Sequence, residues 1–205
     1  VYLMVPRGPD GEVLPGWTMA DHRSAGPDSP LGGAYYTVRS WDPTHHRLTL
    51  WIVRHGYPSG VGAWVNRCAP GDQVALWGPR HGFGTGPRGR HHLFVSDESG
   101  FAAVAALLES LPSGSAATVL AETVDEDHQV ALPSADITWL HRHEDPPGND
   151  LLLDAVRSAA PDTDGLVAWG AGESRLMTRI RRHLRQERGM RATSVHMTGY
   201  WRQAP

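Results

Sequence analysis

At 205 residues, with 40% apolar and 20% charged positions and a formal net charge of −3, the chain has the balance of an ordinary globular protein. Such a charge offers no global field for nucleic acid or an anionic membrane, and no apolar run reaches the roughly 20 residues that a membrane-spanning helix needs. The single cysteine, Cys68, can form no internal disulfide, which points to a reducing, cytoplasmic setting, and the absence of lysine removes Schiff-base and P-loop chemistry.

The first half reads as strands and turns. The opening run VYLMVP is short and apolar, alternates poorly and begins at Val1 rather than at a methionine, so sequence upstream is expected. From Gly8 to Gly33 the chain is rich in Gly, Pro, Asp and Ser and is expected to be one long exposed loop, with a lid over the cleft as one role open to it. Strands are predicted over Tyr35–Trp41, Arg47–Gly56 (Leu48, Leu50 and Ile52 at period two) and Gln73–Pro79. Asp42-Pro43 forms a turn that pairs the first two antiparallel. A short helix is expected over Val61–Cys68, followed by a turn at Pro70-Gly71-Asp72. Four strands and one helix make an open antiparallel barrel whose edges need upstream strands, a partner or another covering element.

From His91 the pattern changes. The runs HLFVSD, AATVLAE, DITWLH, GLVAWGAG and ATSVHMT are strand candidates that alternate with helical stretches at Gly100–Leu111, Leu151–Ala159 and Glu173–Arg188. That alternation is the mark of βαβ units and a parallel sheet. Leu176, Ile180 and Leu184 supply the apolar stripe of the last helix, and arginines surround it. The expected organisation is two domains, a β-barrel over residues 1–90 and an open α/β domain over residues 91–205.

In open α/β sheets ligands gather outside the carboxyl ends of the strands. The residues there are Ser96-Asp97-Glu98-Ser99, Glu122-Thr123, His141-Arg142-His143 and Gly170-Ala171-Gly172-Glu173. The Gly170-Ala171-Gly172 segment reads as a turn opening a helix, either as a phosphate or ribose approach or as a plain tight turn. Asp97 and Glu98 are acid–base candidates whose plainer role is helix capping. The pairs His45-His46, His91-His92 and His141/His143 lack zinc-site spacing, so no metal is expected. Ser59, Ser96 and Ser99 lack a nucleophile elbow, and Cys68 is expected to be a buried, inert thiol. Trp64, Trp169 and Trp201 fall beside ligand turns, whereas Trp51, Trp77 and Trp139 are expected in the core.

Taken together, Tyr36-Thr37-Val38-Arg39, His55-Gly56 with Ala63-Trp64, Pro70-Gly71-Asp72, Gly78-Pro79-Arg80, Asp97-Glu98-Ser99, Gly172-Glu173-Ser174 and Gly199-Tyr200-Trp201-Arg202 resemble the siderophore-interacting proteins. These are flavin-dependent reductases of the ferredoxin reductase-like superfamily. The resemblance implies a Greek-key FAD-binding barrel, incomplete here at its N-terminal side, and an α/β domain that meets NAD(P)H, with electrons passing through the flavin to a ferric siderophore. It implies that Tyr36 stacks on the isoalloxazine, that Thr37 and Val38 hydrogen-bond it, and that Arg39 and Trp64 belong to the same cofactor site. His55 and Ser59-Gly60-Val61-Gly62 would follow the ribityl and pyrophosphate. Asp97, Glu98 and Ser99 would face the cofactor from the second domain, and Gly172, Glu173, Tyr200 and Trp201 would line the nicotinamide side.

The chain departs from the family at Ala34, where an arginine usually pairs with the flavin phosphate, at Ser59-Gly60-Val61, and at Phe101, which adds a ring after Ser99-Gly100. These departures motivate a second reading, a biosynthetic enzyme on the same scaffold that takes a natural product in the flavin cleft, with or without redox chemistry. A third is a non-catalytic partner protein that pairs through its open strand edge. The expected partners are a small molecule, with no nucleic acid or membrane, and the expected state is a monomer or homodimer.

Overall fold

The computed structural model of the protein describes residues 1–7, 13, 16, 18–26, 29–54, 60–80, 91–133 and 135–203. The chain divides into two compact units, Val1–Gly82 and Phe83–Pro205. Among the described residues, no helix is long and apolar enough to cross a membrane.

In chain order the first unit contains β1 (Tyr2–Pro6), α1 (Met19–Ala25), β2 (Leu31–Tyr35), β3 (Val38–Asp42), β4 (Arg47–Leu50), α2 (Gly60–Val65) and β5 (Ala75–Trp77). Strand β1 is central in an antiparallel sheet ordered β2-β1-β5, and β3 and β4 form a separate antiparallel hairpin. Leu3 and Val5 join Val61 of α2 in one cluster, while Met4, on the opposite side of the strand, is buried as well. Apolar cover on both faces explains why VYLMV does not alternate.

The stretch from Gly8 to Gly33 is not the single loop expected, because it holds α1 and the start of β2. The overlooked signal is Thr18-Met19-Ala20-Asp21. Thr18 Oγ1 accepts from the Asp21 amide at 3.2 Å and Asp21 accepts from the Thr18 amide at 2.8 Å, a reciprocal cap that starts the helix. His22 then lies 3.1 Å from the Tyr2 hydroxyl and 2.9 Å from Ser29 Oγ, fastening α1 to β1.

The strand expected over Tyr35–Trp41 is two strands, with Tyr36 and Thr37 between them. The backbone of Tyr36 is held instead by Val1, through N–H to O at 2.8 Å and through the Val1 amine to the Tyr36 carbonyl at 2.9 Å. The Asp42 turn does pair β3 with β4, its carboxylate accepting from the amides of Thr44 (2.9 Å) and His45 (3.2 Å). Strand β4 stops at Leu50 and β5 spans only Ala75–Trp77, both shorter than expected. Helix α2 also ends early, where the amides of Arg67 and Cys68 both bond to the Trp64 carbonyl at 2.9 Å, and Cys68 is left exposed rather than buried.

The second unit contains β6 (His91–Ser96), α3 (Phe101–Glu109), β7 (Ala116–Thr123), β8 (Asp136–His141), α4 (Leu151–Ala159), β9 (Leu166–Glu173), α5 (Ser174–Arg182) and β10 (Val195–Trp201). Its five strands are all parallel in the order β10-β9-β6-β7-β8. The α/β architecture expected from the alternation of runs is the one observed. Leu93, Val95, Leu120 and Ala168 share a cluster with Leu152, Val156, Leu176, Ile180 and Leu184, so α4 and α5 cover one face. Residues that alternate with these meet on the other face: Phe94 with Trp169 at 6.4 Å between centroids, and Phe101 of α3 edge-on to Trp139 at 5.5 Å. Helix α5 continues past Arg182 as one π turn, His183–Glu187, in which the Arg188 amide bonds to the His183 carbonyl at 3.0 Å.

Gly170 and Gly172 are not a turn but lie inside β9. They allow close packing: a Cβ on Gly170 would sit 2.6 Å from Met197 Sδ and 2.7 Å from the Val95 carbonyl. On Gly172 it would sit 2.7 Å from Asp97 Oδ2.

Candidate functional site

Because all five strands of the second unit run the same way, their carboxyl ends share one edge of the sheet. From β6 the chain moves outward in one direction through β7 and β8, then returns to the other side of β6 for β9 and β10. The topological switch point therefore lies between β6 and β9, where open α/β sheets form a ligand crevice. There the hydroxyl of Ser96 lies 2.7 Å from the Asp97 carbonyl and 3.0 Å from the Ala171 carbonyl, tying the two strand ends together. Gly100 keeps this junction closed, since a Cβ there would collide with Ser96 Oγ and lie 3.0 Å from the Ala171 Cβ.

Three carboxylates are buried at this edge: Asp97 after β6, Glu122 near the end of β7 and Glu173 at the end of β9. Asp97 caps a short 3-10 turn, Glu98–Gly100. Its Oδ1 accepts from the amide of Ser99 at 2.9 Å and from its hydroxyl at 2.5 Å, and its Oδ2 accepts from Trp201 Nε1 at 2.8 Å. Burial raises the Asp97 pKa above the ordinary carboxylate value, and the Ser99 and Trp201 hydrogen bonds only partly offset it.

Glu173 caps α5, with Oε2 accepting from the amides of Arg175 (2.6 Å) and Leu176 (2.9 Å). Its Oε1 is buried with no hydrogen-bond partner among the described residues.

Glu122 is the most isolated of the three. Its side chain is 0% exposed and neither oxygen has a hydrogen-bond partner among the described residues. Its pKa is pushed up to about 7, first by burial and then by the neighbouring Asp97, against the pull of Arg142. Arg142 leaves β8 beside it and places Nη1 3.7 Å from Glu122 Oε1 but 2.6 Å from Glu98 Oε1. The guanidinium is thus shared unequally, and Glu98 holds the larger part.

The other expected site residues fall as follows. Tyr200, 43% exposed, stands edge-on to Trp169 at 6.5 Å, and the Trp201 carbonyl is bound by Ser174 Oγ at 2.7 Å. In the first unit Tyr36 and Trp64 pack, half-buried, against Leu3, Val5 and Val61, together with Ala34 and Ile52. The Arg39 guanidinium stacks over the Trp51 ring at 5.0 Å. Thr37 and Val38 follow Tyr36 into β3, and Gly60, Val61 and Gly62 form the first turn of α2. His55 and Ser59 lie outside the described residues.

Expectations for the tryptophans are reversed in part. Trp169, expected beside a ligand, is a core residue at 5% exposure, whereas Trp51 and Trp77 are only half-buried and carry arginines on their faces. Sequence reasoning marked Glu122 and Arg142 only as strand-end residues. Their pairing arises from the neighbouring ends of β7 and β8, where the Arg142 amide bonds to the Thr123 carbonyl at 3.0 Å.

Comparison with known proteins gives a consistent relationship. Residues 3–83 match the model of the siderophore-interacting FAD-binding domain, and residues 89–204 match that of the siderophore-interacting protein. An uncharacterized protein of Mycobacterium tuberculosis is 30% identical over 179 residues, covering 81% of this chain and 63% of its own length. The chain therefore spans under two thirds of that relative. The NADPH-dependent ferric-chelate reductase of Escherichia coli is 25% identical over 201 residues, covering 94% of this chain and 75% of that protein. The crystal structure of a siderophore utilization protein from T. fusca superposes with a TM-score of 0.78 at 27% identity, over 100% of this chain and 79% of that one. Its first unit is of the family's FAD-binding type, its second is the open α/β domain described above, and the chain belongs to the siderophore-interacting protein family.

Proposed function

We propose that the chain is a cytoplasmic FAD-dependent oxidoreductase that passes electrons from NAD(P)H to ferric iron held by a siderophore or similar chelate. The observation that carries this reading is the consecutive match of an FAD-binding domain and a siderophore-interacting domain along one chain. The name of the Escherichia coli relative, which specifies NADPH and a ferric chelate, supports the donor and acceptor classes. FAD, when bound, supplies the means to take two electrons as a hydride and release them singly, so one NAD(P)H suffices for two ferric ions with release of one proton.

The residues of this chain suit both cofactors. Half-buried Tyr36 and Trp64, with Ile52 beside them, present aromatic and apolar surface fit for a flat ring system. We assign Tyr36, Thr37, Val38, Arg39, Gly60, Val61, Gly62 and Trp64 to holding FAD. On the second unit, the orphaned Glu173 Oε1 is an acceptor in need of a donor, which the hydroxyl or carboxamide groups of a nicotinamide dinucleotide carry. Asp97, Glu98, Ser99, Gly172, Tyr200 and Trp201 complete that assignment. Asp97 and Glu173 act by orientation, because each is already bound to backbone amides that fix it.

The test is the visible spectrum of the purified chain before and after addition of FAD, followed by NAD(P)H oxidation with a ferric chelate. Bound flavin bands and chelate-dependent oxidation are expected. A chain that cannot be loaded with FAD overturns the proposal.

A further inference from the structure

The far end of α5 carries a feature that the cofactor reading does not use. Between Arg175 and Arg188 the sequence places arginines at 175, 179, 181, 182, 185 and 188, in a protein whose net charge is −3. Half of them have clear structural duties. Arg179 makes a paired contact with Asp150, Arg188 bonds to the carbonyls of Ala160 and Pro161, and Arg181 bonds to the Met197 carbonyl. Arg182 and Arg185 are exposed, and among the described residues neither guanidinium makes a hydrogen bond or an ion pair.

Thr178, Arg181, Arg182, Arg185 and Gln186 follow the i, i+3, i+4, i+7, i+8 pattern of one helix face. Together with Met190, which is buried and bonded to the Leu184 carbonyl at 3.0 Å, they line a groove of about 370 Å³. The π turn at His183–Glu187 lies within this segment, and such turns recur at functional sites. Arg181, Arg182 and Arg185 line the groove together, the Glu187 carboxylate near Arg182 is held by His183 at 2.7 Å, and the planar forks of guanidinia suit phosphate and carboxylate oxygens. The groove's lining, from the middle of α5 through the π turn to Met190, shares no residue with the cofactor crevice, and its arginines begin about 10 Å along the axis from the Ser174 end at roughly 1.5 Å per residue. It is therefore a separate site.

We propose that this groove binds a small polyanion, a molecule carrying two or more phosphate or carboxylate groups, through Arg181, Arg182 and Arg185. A volume of about 370 Å³ exceeds what a single inorganic anion fills and falls in the range of small-molecule sites. Gln186 supplies a neutral amide donor at the groove, whereas the Thr178 hydroxyl proton is already donated to the Ser174 carbonyl at 2.8 Å.

Calorimetric titration of the intact chain with tripolyphosphate and, separately, with citrate tests the site and tells the phosphate source from the carboxylate one. Saturable binding of at least one probe is expected, weakened roughly tenfold or more in an Arg182→Ala/Arg185→Ala double variant. Both positions are exposed, so the thermal midpoint of the double variant without ligand should be unchanged, which separates lost binding from lost folding. Arg175→Ala, which removes an exposed charge on the same helix outside the groove, should leave the affinity intact. Absence of binding by both probes at low salt, equal binding by the double variant, or an equal loss in Arg175→Ala overturns the proposal.

Discussion

Trp201 Nε1 donates a 2.8 Å hydrogen bond to Asp97 Oδ2, joining the end of β10 to the turn that follows β6 across 104 residues of sequence. The bond satisfies a carboxylate that is almost wholly removed from water, and it fixes the indole at the carboxyl edge of the parallel sheet. A buried acceptor stripped of its donor keeps its desolvation cost, so the two residues depend on each other.

Trp201→Phe retains most of the ring and deletes the donor. The variant should unfold at lower urea concentration, by about 1–3 kcal/mol, with an unchanged m-value. Asp97 should also become easier to protonate, so the deficit should be larger at neutral pH than at low pH. A variant as stable as the parent at pH 7 would show that the hydrogen bond contributes nothing.

Glu122 makes stability depend on pH in the direction opposite to an ordinary salt-bridged carboxylate. Its pKa rises from 4.5 to about 7 on folding, so between these values the native state holds more protons than the unfolded state. Stability should fall as pH rises through that window, by on the order of 3 kcal/mol in total, and level off above it. Glu122→Gln cannot ionise and should flatten this slope. Equilibrium unfolding at several pH values between 4 and 8 measures it, and an equal slope in the variant would assign the effect to other groups.

How far the sequence could be read depended on whether a feature is local. The parallel sheet was legible because each βα unit writes its own pattern: an apolar run, then an amphipathic stripe such as Leu176, Ile180 and Leu184, all three buried. Helix α1 was not, since its seven residues bury no side chain and its one signal, the Thr18/Asp21 cap, sits in a stretch dominated by Gly and Pro. Gly170 and Gly172 suggested a turn, but their role comes from Met197 and Asp97, which no neighbouring residue announces. The carboxylate cluster was half legible. Strand ends could be listed in advance, whereas the unequal sharing of Arg142 between Glu98 and Glu122 depends on the order of β6, β7 and β8.

Gly172→Ala tests whether β9 and Asp97 are held in contact by the missing side chain. A methyl group there meets Asp97 Oδ2 at 2.7 Å and Asp97 Cγ at 3.1 Å, and Asp97 cannot give way without loosening Ser99 and Trp201. A loss of about 1–3 kcal/mol is expected, together with a shift in Trp201 fluorescence. Coupling to Trp201→Phe should make the double variant less destabilised than the two single effects added together, because both disturb one carboxylate. Strict additivity would place the glycine outside this network.

Ala34 offers a gain-of-function test of the FAD assignment. It lies on β2 opposite Leu3 and packs at the margin of the Val5–Val61 cluster, at the position where the family pattern has an arginine for the flavin phosphate. In Ala34→Arg the side-chain stem can cover the same apolar surface while the guanidinium reaches solvent, so the fold should tolerate it. A charge-assisted contact to phosphate stabilises by about 1.5–3 kcal/mol, which corresponds to FAD binding roughly ten- to a hundredfold tighter. Ala34→Met, of similar length and no charge, should leave the affinity near that of the parent. Flavin fluorescence quenching measures all three dissociation constants. Equal tightening by Met and Arg would trace the effect to packing, and no change in either would mean that the flavin phosphate is held away from β2.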